Sequence, residues 1–191
     1  MKSKNNIFNS YMLAGLGLAL AVNAQANEEK VLKNGSYIAP MMAIVSPTDD
    51  TEFDDGNGFS VALGYKMDRF AYEIVPSVVD LDGTDLTSIA LNGLAFPFEN
   101  SGFYLTAGFS ASNYKDYPVL NDKEDFSTLN FDAGIGYMLP FSKNGFAVRA
   151  EARYRVSHRE DEYNDADVDL AVPGDFEQTV ISVGLQIPLG N

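Results

Sequence analysis

Four charged residues stand at alternate positions in the segment from Phe146 to Val156, and they are Arg149, Glu151, Arg153 and Arg155. The row that alternates with them is apolar. Because successive side chains of a β-strand point to opposite faces, this pattern predicts a strand with one apolar and one ionic face. An ionic face turned towards a protein interior can form an ion path or a network of ion pairs. An ionic face turned towards water would instead belong to a half-exposed strand of a soluble sheet.

A serine and a histidine, Ser157 and His158, follow this segment directly, and the histidine is the only one in the chain. A serine nucleophile needs a base within hydrogen-bonding distance. Adjacent residues of a strand point to opposite faces, so the two side chains are poorly placed to form that pair. We therefore expect no catalytic residues and no enzymatic activity.

Three aspartates, Asp165, Asp167 and Asp169, have the spacing that begins a calcium-binding loop. The sixth position of such a loop is normally Gly and the twelfth Glu. Here these positions are Leu170 and Phe176, so the sequence predicts no EF-hand, no dedicated metal site and no cofactor. Weak cation binding by an acidic surface remains an alternative.

The segments around these residues set a row of large apolar side chains against a row of small or polar ones. The apolar rows of the clearest segments include Phe103, Leu105 and Phe109, then Leu129, Phe131 and Ile135, then Val183 and Leu185. The opposite rows hold mainly Gly, Ser, Asn and charged residues. This inversion is typical of a membrane barrel, whose apolar face meets lipid and whose interior is polar. The first segment, 35–45, is apolar in both rows, so its facing stays undecided.

The connections between these segments alternate between short and long. We predict long or medium loops at 46–57, 80–85, 115–126 and 159–177, which together carry 20 of the 27 acidic residues, and short turns elsewhere. A proline at position 76 predicts a bulge or local distortion in the third strand, because Pro cannot donate to the ladder. Transmembrane barrels have an even number of strands, short periplasmic turns and longer outer loops. The sequence thus predicts an all-β fold, an eight-stranded antiparallel up-and-down transmembrane β-barrel.

The N-terminus has the features of a secretory signal peptide. Lys2 and Lys4 precede an apolar run that ends in Ala24-Gln25-Ala26, so we predict a signal peptide at 1–26 and a barrel domain at 27–191. Removing that segment leaves 11 basic and 27 acidic residues, a net charge of −16. Such acidity argues against a nucleic-acid partner, which requires clustered Lys and Arg.

Seven charged residues fall in the inward rows of the predicted barrel: Lys66, Glu73, Asp132, Arg149, Glu151, Arg153 and Arg155. The interior of an eight-stranded barrel is just wide enough for side chains to fill. Unpaired charges there would be costly, so we expect an ion-pair network, with Glu73 and Asp132 as the acids that neutralise the cations of strand seven. An ion path or gate is the alternative.

The chain resembles the outer-membrane β-barrel family that includes the OmpA membrane domain and OmpX-like proteins. The resemblance covers 27–191 and rests on the rhythm of strands and turns. It implies that Glu73, Asp132 and Arg149 correspond to members of an interior network. The basic residue that the resemblance leads us to expect on strand four is missing, and Asn92 stands near its position. The resemblance also implies a C-terminal signal for the outer-membrane insertion machinery, formed by Ser182, Gly184, Ile187 and Leu189, without the usual terminal Phe.

These observations predict a small integral barrel in the outer membrane of a Gram-negative bacterium. We expect a role in envelope integrity and surface interaction, with acidic extracellular loops. A narrow pore or small-solute channel is the alternative, and a lipid A-modifying enzyme, which some barrels of this size are, is a third. The expected partners are outer-membrane lipid and lipopolysaccharide, the insertion machinery and periplasmic chaperones, and we expect a monomer.

Overall fold

The computed structural model describes residues 32–48, 55–81, 83–98, 101–119, 122–159 and 175–190. The predicted signal peptide at 1–26 lies outside these ranges, as do the three aspartates of the calcium-like motif, Asp165, Asp167 and Asp169. None of the described residues forms a helix long and apolar enough to cross a membrane.

Eight antiparallel strands close into a barrel in which every strand pairs with its neighbours in sequence and β8 pairs with β1. The strands are β1 (Gly35–Pro47), β2 (Gly56–Met67), β3 (Phe70–Asp80), β4 (Asp85–Ala95), β5 (Phe103–Val119), β6 (Asp122–Pro140), β7 (Ala147–Arg159) and β8 (Phe176–Pro188). The prediction of an eight-stranded up-and-down barrel is confirmed. Below, the end where β1 begins and β8 ends is called the turn end, and the opposite end the loop end.

The apolar rows lie on the outside of the barrel, as the alternation predicts. Phe109, Ile135 and Leu185 are among the large apolar side chains left exposed there. In β1 the structure decides the facing that the sequence left open. Tyr37, Ala39, Met41, Ala43 and Val45 are buried in the interior, while Met42 and Ile44 are exposed on the outer surface. The barrel therefore presents an apolar wall around a filled interior.

The predicted loop at 115–126 is wrong, because most of it forms the end of a long β5–β6 hairpin. A register shift between Tyr114 and Tyr117 inserts a bulge, and Asp116 there has a φ of 60°. The bulge turns Tyr117 inward, where its ring meets that of Phe126 at 5.6 Å between centroids. Phe126 in turn stacks on Tyr114 at 4.7 Å. The bulge breaks the two-residue alternation, which is why the sequence pattern indicated a loop.

The predicted distortion at Pro76 takes the form of an interrupted ladder. The pairing of β2 with β3 runs to Ser60↔Ser77 and resumes at Leu63↔Ile74, so two pairs are missing while the register is unchanged. Pro76 lacks the N–H that a ladder bond at this place would use. On its other side the same residue pairs normally with β4. No bulge is needed to accommodate this proline.

Apolar side chains close the interior at both ends. The turn-end cluster consists of Tyr37, Ala71, Leu94, Phe96, Tyr104, Met138 and Ala147. The loop-end cluster consists of Val45, Val79, Leu81, Leu86, Tyr114, Tyr117, Phe126, Phe176 and Val180. Both sets are almost completely buried, so the polar middle of the barrel is covered above and below.

Candidate functional site: the charged interior of the barrel

Strand β7 sends its four charged side chains into the barrel. Arg149, Glu151, Arg153 and Arg155 are all at most 5% exposed. Their neighbours in β6 and β8 lie opposite them in fixed register, for example Arg155 opposite Asp132 and Glu151 opposite Ser182. The alternating sequence of β7 thus builds a charged column along one wall of the interior.

Arg149 is the centre of the first group of ion pairs. Its guanidinium meets Glu73 through both terminal nitrogens, with Nη2 at 2.9 Å from Oε2 and Nη1 bonded to Oε1. Nη2 also donates to Glu151 Oε2 at 2.7 Å. Paired N–H donors facing a carboxylate make one of the stronger side-chain contacts in proteins. Glu73 and Glu151 are therefore joined through one arginine.

Two tyrosine hydroxyls complete this group. Tyr37 donates to Glu73 Oε1 at 2.5 Å. The Tyr104 hydroxyl accepts from Arg149 Nε at 2.9 Å and donates to Glu151 Oε2 at 2.7 Å. Our sequence prediction of the network omitted both tyrosines. They belong to the turn-end cluster, so they connect the apolar closure to the ion pairs.

Each of these tyrosines lies over a glycine on the neighbouring strand, a pairing that depends on the strand register. Tyr37 is opposite Gly64, and Tyr104 is opposite Gly136. A Cβ atom on Gly64 would stand 2.4 Å from the Tyr37 ring, and one on Gly136 would stand 2.2 Å from the Tyr104 ring. The two glycines thus provide the space in which the rings lie flat against the wall.

Asp132 and Arg155 form a second, separate group. Arg155 Nε donates to Asp132 Oδ1 at 2.8 Å, and Ser110 donates to Asp132 Oδ2 at 2.8 Å. The side-chain nitrogen of Asn130 donates to Ser110 Oγ at 3.0 Å. In the structure Asp132 pairs with Arg155 and not with Arg149.

Arg153 is less completely paired than the other two arginines. Its Nε lies 2.8 Å from Glu151 Oε1, but the two groups are not aligned well enough to form a hydrogen bond. Its Nη1 has no hydrogen-bond partner among the described residues. One donor-rich side of this guanidinium is therefore left facing the interior.

Lys66 does not join either group, although it was predicted as part of the network. Its Nζ donates to the backbone oxygen of Asp68 at 2.5 Å and to Asn34 Oδ1 at 3.3 Å, at the turn end of the barrel. It also lies over the Phe96 ring, 5.1 Å from the centroid. Lys66 thus fastens the β2–β3 turn to the residue that precedes β1.

Ser157 and His158 point to opposite faces of β7. Ser157 is fully buried, whereas His158 is exposed and its Nδ1 lies 2.5 Å from Asp175 Oδ1. The two side chains therefore do not form a nucleophile–base pair. Within the described part of the chain, no group of three or more His, Cys, Asp or Glu side chains is placed to hold a metal ion.

The four residues of the predicted insertion signal lie on or just beyond β8. Ser182 is buried in the interior, whereas Leu189 is exposed and its N–H donates to the backbone oxygen of Ser36 at 2.8 Å. Gly184 and Ile187 pair with Met41 and Ile38 of β1, so this segment closes the barrel seam.

Comparison with known proteins gives a family match over most of the chain. The model of the outer membrane protein beta-barrel domain matches residues 12–188. Among solved structures, Neisserial surface protein A (NspA) is 15% identical, with a TM-score of 0.59, and the match covers 81% of this chain and 97% of that one. The N-terminal β-barrel domain of Pseudomonas aeruginosa OprF is 17% identical, with a TM-score of 0.50 and coverage of 81% and 100%. The search of curated proteins found no match.

Proposed function

Because this chain belongs to the outer membrane protein beta-barrel domain family, we propose that it is a structural barrel that supports the integrity of a Gram-negative cell envelope and presents an acidic surface to the outside. In this proposal residues 1–26 are a signal peptide, and periplasmic chaperones and the insertion machinery deliver the barrel to the outer membrane. There it acts as a monomer in contact with lipid and lipopolysaccharide.

The observation that carries this proposal is the filled interior. The turn-end and loop-end clusters cover the two ends, and between them β7 contributes three arginines that contact carboxylates. A conducting barrel needs a continuous aqueous path, whereas an eight-stranded barrel has room for little more than its own side chains. A role that depends on the outer wall and the exposed ends fits this arrangement better than transport.

The exposed loop end supports the surface part of the proposal. Asp80, Asp85, Asp116, Asp125 and Asp175 are exposed at or near the strand ends there. Their common charge gives this end a negative potential, which attracts cations and basic partners and repels other acidic surfaces. The outer wall below it is apolar and suits the hydrocarbon of a membrane.

The test combines conductance with a cellular assay. Purified protein refolded into a planar bilayer should show no large, steady single-channel current. Deleting the gene in its native host should increase sensitivity to detergents and to large antibiotics, and a copy of the wild-type gene should restore resistance.

A matched control is a copy that carries Asp80→Asn, Asp85→Asn, Asp116→Asn and Asp125→Asn. This variant should restore envelope resistance, because the wall and interior are unchanged, while binding basic surfaces more weakly. A large, stable wild-type current would favour the pore instead. A deletion strain with normal resistance would contradict the envelope role.

A further inference from the structure

A small cavity of about 20 Å³ lies inside the barrel between its two apolar ends. Its polar lining consists of Ser60, Ser77, Ser88, Ser182, Arg153 and Arg155, and the remaining lining residues are Ala and Val. A water molecule needs roughly 10–15 Å³ of such space. The cavity therefore has room for an occupant the size of one or two water molecules.

The polar atoms around this cavity lack protein partners. Arg153 Nη1, Ser60 Oγ and Ser182 Oγ are buried without a hydrogen bond to any described residue. A buried donor left unsatisfied is costly, and the cost is greater for a charged group. Ser77 and Ser88 bond to each other at 2.6 Å, so only one of these two hydroxyls donates in that contact. The unpartnered atoms call for an occupant that accepts hydrogen bonds.

The charged side chains that line the cavity directly are both arginines. Arg153 and Arg155 both approach their carboxylates through Nε, at 2.8 Å from Glu151 and 2.8 Å from Asp132 respectively. Neither carboxylate is among the residues that line the cavity. Both arginines line the cavity, and Arg153 Nη1 has no partner among the described residues, so it can donate to an occupant together with the serine hydroxyls. Such a wall favours a negative occupant.

From these contacts we propose that the cavity binds one small inorganic anion of halide size, held by Arg153, Arg155 and the serine hydroxyls. An acceptor-only ion satisfies several donors at once, which a neutral water does less completely because it must also place its own hydrogens. A cavity with room for one or two water molecules fits a halide better than a larger tetrahedral oxyanion such as sulfate or phosphate. The apolar clusters at both ends of the barrel restrict access to the cavity, so the anion is best supplied during refolding.

The direct test is to refold the protein from urea into detergent micelles in sodium bromide and to crystallise it. Anomalous diffraction at the bromine absorption edge should give a peak within hydrogen-bonding distance of Arg153 Nη1 and a cavity serine. Ordered water without an anomalous peak would overturn the proposal.

A second test measures stability in solution. Refolded protein should unfold at a higher urea concentration in sodium chloride than in sodium gluconate of the same ionic strength, because gluconate is too large for the cavity. Ser60→Val, which removes one hydroxyl and fills space, should reduce this difference at least threefold. Thr106→Val is the matched control, since Thr106 Oγ1 is also buried without a partner but does not line the cavity.

Equal midpoints of the wild type in the two salts would overturn the proposal. So would an undiminished chloride effect in Ser60→Val. If that variant does not refold, Ser182→Ala provides the same comparison with a smaller change in volume. All variants are refolded in vitro, without the cellular insertion machinery.

Discussion

Arg149 contacts Glu73, Glu151 and Tyr104 at once, whereas Asp132 contacts Arg155 and Ser110. At the scale of single residues the interior is therefore two separate groups. The sequence placed all these charges in one network, because facing can be deduced from alternation but partners cannot. The separation decides which substitutions should influence each other.

We expect Arg149→Ala to destabilise the barrel by about 3–5 kcal/mol, since it leaves buried Glu73 without a cation and Glu151 with Arg153 as its one remaining cation. Combined with Glu73→Ala, the effect should fall short of the sum by about 0.5–3 kcal/mol, because the two residues share a contact. Combined with Asp132→Ala, which shares no partner with Arg149, the effects should add. Urea unfolding of the refolded single and double variants measures both cycles. Strong coupling between Arg149 and Asp132 would show that the groups are joined.

The close approach of Tyr104 to Gly136 makes a second prediction at this scale. Gly136→Ala should destabilise the barrel by about 1–3 kcal/mol, because the added methyl displaces the ring and its hydrogen bonds to Arg149 and Glu151. Gly93→Ala is the control, since a Cβ there would meet only the Ala107 oxygen at 3.8 Å. The two urea midpoints are compared directly. Similar midpoints would indicate that the ring can move without loss.

At the scale of elements, the surroundings of an outward-facing side chain depend on its position along the strand, in the apolar wall or near the loop end. Ile135 is 53% exposed on β6, in the apolar wall. If this site is near the membrane midplane, Ile135→Arg should oppose folding into lipid by about 2–4 kcal/mol. Thr87→Arg, on an exposed outward position near the loop end of β4, should cost only about 0–1 kcal/mol. Refolding yields in lipid vesicles compare the two, and equal yields would mean that the membrane band is misplaced.

The long β5–β6 hairpin is held down by its aromatic side chains, in particular Phe126 between Tyr114 and Tyr117. Phe126→Ala should loosen the bulged part of this hairpin, because the deletion removes a buried ring from the loop-end cluster. Amide hydrogen exchange around residues 114–126 should then become at least tenfold faster, while exchange in β7 stays unchanged. Ser127→Ala, at an exposed neighbouring position, is the control. Unchanged exchange would mean that the backbone ladder alone holds the hairpin.

At the scale of the whole molecule, the outer-membrane location depends on export. We predict that the mature protein begins at Asn27, because Ala24-Gln25-Ala26 supplies the small residues of a cleavage site. N-terminal sequencing of protein from the outer-membrane fraction measures this directly. Replacing Ala26 by a bulky residue should leave uncleaved precursor in the inner membrane. Recovery of the intact N-terminal segment from the outer membrane of wild-type cells would contradict the prediction.

The sequence alone determined the architecture of this protein. Strict alternation in β7 and in the segments around it revealed which rows face lipid and which face inward, because side chains of a strand repeat every two residues. The alternation of short and long connections predicted eight strands, and the inward rows identified the buried charges. These features are local, so they can be deduced without knowing which strands lie across the barrel from one another.

Only the tertiary structure decided what depends on distance across the barrel and on register. It turned Tyr37 inward in a strand whose two rows are both apolar, and it placed Tyr37 and Tyr104 on the ion pairs of Arg149. It also separated Lys66 from the network and extended a predicted loop into a bulged hairpin. Residues from non-adjacent strands meet only after the barrel closes, and a bulge shifts the alternation by one residue. Neither the contacts across the barrel nor the bulge can therefore be deduced from the spacing of residues along the chain.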